Sequence, residues 1–265
     1  MAKLQNGDLW AKLRGDEDFK NMNATKIRHW VAVVVAEILG TAILVGLGCS
    51  AVHKEISGLP HLDVVLTFSF AIAVVVTTFG HISGSHVNPA ISLASLMHGQ
   101  ISIPAYFLYV ISQLIGATLG IASVRLISPD QCTFENFCVT LPGPDVGPVR
   151  AAICEAFMTA ILTLVVCAAW DRRCQDKHDS MPIKFGLTIV ALALPGAKYS
   201  GASINPARSF GPALLSGNFT HHWVYWVGPM IGAFLAVIIY KAFLAEINSP
   251  RPVKTKGENE ENLPL

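Results

Sequence analysis

The chain has 265 residues, 52% of them hydrophobic and 14% charged, far below the roughly 25% charged residues of a soluble domain. A formal net charge of +1 and the lack of a basic stripe interleaved with aromatics argue against a nucleic-acid partner. No nucleophile elbow, zinc-protease pair or phosphate loop occurs, and the six cysteines have no Cys-x-x-Cys spacing, so neither an enzyme, a cofactor nor a metal centre is expected.

Residues 1–28 are polar and of mixed charge, and read as a tail. Acidic and basic residues run together there, so no cleavable leader is expected and the first apolar run serves as its own insertion signal. That run, from about Trp30 to Val52, is long enough for the ~20 residues a bilayer demands. A second span is predicted from Val64 to Gly80, a short apolar piece over 88–98, and a third span from Pro104 to Ile127. Residues 128–148, rich in Pro and Gly, form a connecting loop. Spans from Val149 to Trp170 and from Ile183 to Tyr199 follow, then a second short piece over 205–215 and a sixth span from His222 to Leu244. The division is therefore a tail 1–28, a first repeat 29–127, a loop 128–148, a second repeat 149–245 and a polar tail 246–265.

Both short pieces open on the same triplet, Asn88-Pro89-Ala90 and Asn205-Pro206-Ala207. Asn caps a helix, and Pro fits the first helical position, where its missing N–H costs nothing. Each piece is too short to span a bilayer. Interrupted apolar segments at matching places in two halves point to a site at the membrane midplane. Glu37 and Glu155 repeat too, each with Thr four residues later. Glu37 stands 51 positions before Asn88, and Glu155 stands 50 before Asn205. Three spans per half invert the second copy, so the half-helices enter from opposite faces and meet tip to tip. Cytoplasmic termini put 14 of the 19 Lys and Arg residues inside. Gly116 with Gly120, and Gly228 with Gly232, let spans approach closely. Cys132 and Cys138 share the connecting loop and are candidates for a disulfide, and Asn218-Phe219-Thr220 is a sequon too near the sixth span for ready use.

The twin triplets, His-Ile-Ser-Gly-Ser-His at 81–86, Arg208 directly after the second triplet, and Trp226-Val227-Gly228-Pro229 together resemble the aquaporin, or major intrinsic protein, family outside the tails. The resemblance implies an all-α membrane protein of six transmembrane helices and two re-entrant half-helices, one pore per subunit of a homotetramer, in the plasma membrane. It implies that Asn88 and Asn205 present amide donors at the positive ends of the half-helices and turn back cations and protons. It also gives Glu37, His86 and Glu155 a supporting role for the re-entrant loops.

The resemblance also implies a narrow outer ring, whose positions, counted from the two Asn residues, fall on Phe68, Ala193, Ala202 and Arg208. Strict water channels of the family carry histidine where Ala193 stands. Its loss widens the ring, so water, glycerol and urea are the expected permeants, as in insect glycerol-conducting members of the water-type branch. Ser209, Ala213, Tyr225 and Trp226 resemble the water-type pattern, which keeps a water-selective channel with a compensated filter as the alternative. An ion-coupled transporter using Glu37 and Glu155 as a proton relay is the reading of another class. Ala202 stands where mercury-sensitive relatives carry cysteine, so the ring offers a thiol reagent no target.

Overall fold

The computed structural model describes residues 13–15, 19, 22–52, 62–128 and 135–246. The candidate cysteine Cys132, His53, His61, Lys54 and most of both tails lie outside the described residues. Among the described residues the structure is all-helical. The α-helices are α1 (Ala24–Ser50), α2 (Leu62–Ser83), α3 (Pro89–His98), α4 (Ile103–Ile127), α5 (Pro148–Trp170), α6 (Met181–Ser200), α7 (Pro206–Ser216) and α8 (Val224–Ile239). A 3-10 segment, Arg172–Ser180, joins α5 to α6, and a π-helical turn, Tyr240–Leu244, continues α8. Six of these helices are long and apolar enough to cross a membrane, with α8 and its π turn counted as one.

Most boundaries fall within three residues of the sequence reading. α1 is the exception: it starts at Ala24, inside the stretch read as tail, because Asn23 caps it by accepting from the Lys26 N–H at 2.9 Å. The charged residues Lys26 and Arg28 hid that start by breaking the apolar run.

α4 lies along α1, and α8 lies along α5. The glycine pairs explain both contacts. A Cβ on Gly116 or Gly120 would run into the α1 backbone at Ile38 and Ala42, and one on Gly228 or Gly232 would run into the α5 backbone at Ala152 and Ala156. α2 packs on α6 and closes the two halves against each other. The half-helices are exchanged between halves: α3 packs on α8, and α7 packs on α4. The outward faces carry large exposed apolar side chains, among them Val31, Val35, Phe107, Ile111, Ile153, Phe157, Phe234 and Leu235. Such a surface suits lipid and is unstable in water.

Polar side chains are kept inside. Glu37, Thr41, Gln113, Glu155 and Thr159 are fully buried. A carboxylate in this position costs several kcal/mol unless hydrogen-bonded on all sides, and both glutamates are so bonded.

Candidate functional site

Each half-helix is preceded by a loop whose backbone few residues tolerate. Ser85 and Val87 have φ of 48° and 42°, and Ala202 and Ile204 have φ of 46° and 57°. For β-branched Val87 and Ile204 this left-handed conformation is a genuine outlier and must be imposed from outside. The glutamates impose it. Glu37 Oε1 accepts from the Ser83 hydroxyl at 2.6 Å and the His86 N–H at 2.9 Å, and Oε2 accepts from the Val87 N–H and the Gln113 amide, both at 2.8 Å. In the second half Glu155 Oε1 accepts from the Ser200 hydroxyl at 2.7 Å and the Ser203 N–H at 2.9 Å, while Oε2 accepts from the Ile204 N–H at 2.6 Å. Tyr109 and Tyr225 finish the matched pair by donating to the carbonyls of Ser83 and Ser200, at 2.7 and 2.9 Å.

With the loops held this way, the two triplets face each other. Asn88 Oδ1 caps α3 by accepting from the Ala90 N–H at 2.9 Å, and Asn205 Oδ1 caps α7 by accepting from the Ala207 N–H at 3.0 Å. Pro89 and Pro206 occupy the first helical positions. The amide nitrogens cross over: Asn88 Nδ2 donates to the Ile204 carbonyl and Asn205 Nδ2 donates to the Val87 carbonyl, each at 2.8 Å. An amide has two N–H groups. The crossing bond uses one, and both Asn side chains border the cavity described next.

That cavity, of about 900 Å³, runs from Val52 and Val64 at the α1–α2 end to His81, Asp179 and Met181 at the α5–α6 end. Phe68, Ala193, Ala202 and Arg208 all line it, as do His86 and both loops. The Arg208 guanidinium lies 4.8 Å from the centre of the Phe68 ring, and its Nη1 donates to the Cys138 carbonyl at 2.8 Å. α6 contributes Ile189, Ala193 and Ala197, with Gly201 just beyond its end, to the cavity wall. From Ala193 outward this wall therefore carries nothing larger than a methyl group.

His86 meets Glu37 through its backbone N–H; its imidazole Nδ1 lies 3.2 Å from the Ser92 hydroxyl, and the ring packs on Tyr109. Sequence reasoning missed Ser83, Ser200, Gln113 and Tyr109 as partners of the loops. It also missed the ties of the second loop: Ser209 accepts from Thr140 at 2.7 Å and lies 2.6 Å from the Ser203 hydroxyl. Hydroxyls at matching offsets from the two Asn residues were the available signal. The disulfide expectation needs correction: Cys138 is bonded to Cys49, not to Cys132. Cys49 is at the end of the first span that leads out to the same side as the connecting loop, which brings the two together. It is therefore not a free thiol. Free cysteines among the described residues are Cys154, Cys167 and Cys174.

Six membrane-crossing helices, two re-entrant half-helices and a cavity threading between their tips define a multi-pass membrane channel. The sequence comparisons name its relatives. A family model described as Major intrinsic protein matches residues 23–240. The lens fiber major intrinsic protein of Ovis aries is 41% identical over 244 residues, covering 87% of this chain and 92% of that protein. The lens fiber major intrinsic protein of Lithobates pipiens is 35% identical over 243 residues, with the same coverage of 87% and 92%. The chain belongs to the major intrinsic protein family, whose members are channels and not enzymes. In fold it is similar to the aquaglyceroporin from Plasmodium falciparum, with a TM-score of 0.74 over 81% of this chain and 96% of that one at 24% identity.

Proposed function

We propose that the chain is a passive channel for water and small uncharged solutes, glycerol and urea among them, that rejects protons and ions. The observation that supports this reading is the lining: the Arg208 guanidinium lies 4.8 Å from the Phe68 ring centre, and Ala193 and Ala202 add only methyl groups to the same cavity wall. Arg208 offers donors to a solute hydroxyl, and the methyl-lined wall passes its carbon backbone. At the midpoint the spare amide N–H groups of Asn88 and Asn205, at the positive ends of α3 and α7, favour a solute oxygen and repel a cation.

Both termini are placed in the cytoplasm, with 29–127 and 149–245 as the two inverted repeats, 128–148 outside, and 1–28 and 246–265 as tails. The distribution of Lys and Arg supports this, and so does the Cys49–Cys138 bond at the opposite end, since disulfides persist in oxidising surroundings. The subunits are assigned to a homotetramer in the plasma membrane.

Expression in oocytes tests the reading through osmotic swelling and the uptake of labelled glycerol and urea. Solute uptake well above that of uninjected cells, independent of sodium and proton gradients, is the expected result. Swelling with glycerol and urea at background would establish a water-selective channel instead, and gradient-driven uptake would establish a coupled transporter.

A further inference from the structure

We propose that Cys49 and Cys138 are positioning residues for solute selectivity: their disulfide fixes the carbonyl that holds Arg208 against the wall of the outer ring. This rests on the reading of Phe68, Ala193, Ala202 and Arg208 as the ring that sorts solutes.

Arg208 is buried and carries five N–H donors in a fixed fork. Its side chain has two holds, the Cys138 carbonyl at 2.8 Å and the Phe68 face at 4.8 Å. The side chains of the other two ring members are methyl groups, which accept no hydrogen bond from the guanidinium. Where the guanidinium sits therefore depends on where the Cys138 carbonyl sits.

That carbonyl belongs to a turn closed by the Val139 N–H donating to the Asn136 carbonyl and tied on its near side by the Asn218 amide donating to Asn136 Oδ1, a shape that suits Asn136 but not Cys138. Asn136 and Cys138 have φ of 56° and 59°, in the left-handed region. Thr140 to Ser209 and the Gly143 N–H to the Tyr199 carbonyl anchor the loop further on. The disulfide is what attaches Cys138 itself to a membrane-spanning helix. The same turn of α1 also backs the other hold, since a Cβ on Gly48 would collide with the Phe68 ring. The two sulfurs are packed with Val45, Ala117, Ile121, Val124 and Ala207, the last directly before Arg208. One turn of α1 thus sets both the stacking partner and the hydrogen-bond partner of the arginine.

Freed from this tie, the guanidinium spends part of its time turned toward the watery outer mouth, and the ring widens. Cys49→Ala, Cys138→Ala and the double variant are compared with wild type and with Arg208→Val in oocytes, and fluxes are normalised to surface protein. Each cysteine variant should raise the ratio of erythritol to glycerol uptake by about threefold or more. The double variant should match either single one, because one bond is lost in all three. A merely structural disulfide would lower all fluxes together and leave the ratio alone. An unchanged ratio in the cysteine variants, with a raised one in Arg208→Val, overturns the clamp and keeps the ring. An unchanged ratio in Arg208→Val as well overturns both.

Poor surface delivery of the variants is met by reducing the folded wild-type protein in liposomes. Dithiothreitol closes to its own cyclic disulfide as Cys49 and Cys138 each take up a hydrogen to become thiols, which alkylation and mass measurement verify. The same rise in the ratio is expected, and a fully reduced channel with the wild-type ratio overturns the proposal.

Discussion

Replacing Ala193 by His puts an imidazole in place of a methyl group in the wall of the cavity that Phe68 and Arg208 also line. Those two are held in place, with the guanidinium stacked 4.8 Å from the aromatic centre and tied to Cys138, so the added ring narrows the opening they leave. Forcing a solute through an overfilled packing costs about 1–3 kcal/mol. At roughly 1.4 kcal/mol per tenfold in rate, glycerol permeability should fall between about fivefold and about 140-fold. Water fits a narrower opening and can hydrogen-bond the imidazole, so it should lose less than about threefold. Light scattering from oocyte vesicles, with the amount of channel measured by immunoblot, reads both permeabilities on one preparation. An equal fall in water and glycerol would refute the claim that position 193 sets the size limit, and so would glycerol flux that stays at the wild-type level.

Glu37→Ala should lower the thermal midpoint in detergent by roughly 6–20 °C, because truncating one partner of a buried charged network costs about 3–5 kcal/mol. Glu155→Ala should lower it less, since it strands three donors rather than four; midpoints indistinguishable from wild type would dispose of the supporting role. A mercurial should leave wild-type water flow intact and block Ala202→Cys reversibly, as swelling assays with and without added thiol will reveal; a resistant variant would take Ala202 out of the ring. At the C-terminal end of α5, Asp171 accepts two bonds from the Arg173 guanidinium and one from the Tyr240 hydroxyl, and the guanidinium chiefly holds its carboxyl well below the usual carboxylate range. A depressed folded value means the stabilisation is complete above the unfolded value of about 4 and is lost as pH falls below it toward the folded one. Asp171→Asn should therefore melt earlier than wild type at pH 7, with the gap closing below about pH 4; a gap that persists in acid would contradict that linkage.

The half-helices were legible because Asn-Pro-Ala is a local signal: the cap and the first-turn proline need no tertiary context, and α3 and α7 start where the triplets stand. The inverted repeat was legible from the near-equal separation of each buried Glu from its Asn. Gln113 was not. It sits in the mostly apolar α4, where the lipid face and the core face of a membrane helix are both greasy and the periodicity that marks a soluble core vanishes. Its bond to Glu37 spans 76 positions. The Cys49–Cys138 bond spans 89 positions and was hidden for a different reason. Shared membership of one loop favoured Cys132, whereas the topology already put the C-terminal end of the first span on the same side as that loop. Charge near a helix start misled as well, since Lys26 and Arg28 made the first turn of α1 look like tail.

The most direct test is stopped-flow measurement on the purified chain in liposomes, recording water and glycerol permeability together with a pH-sensitive dye inside. The ring and the opposed amide tips require glycerol permeability at least about tenfold above protein-free liposomes, alongside fast water and no added proton leak. Fast water with glycerol at the protein-free level, or a proton current carried by the channel, would contradict the account.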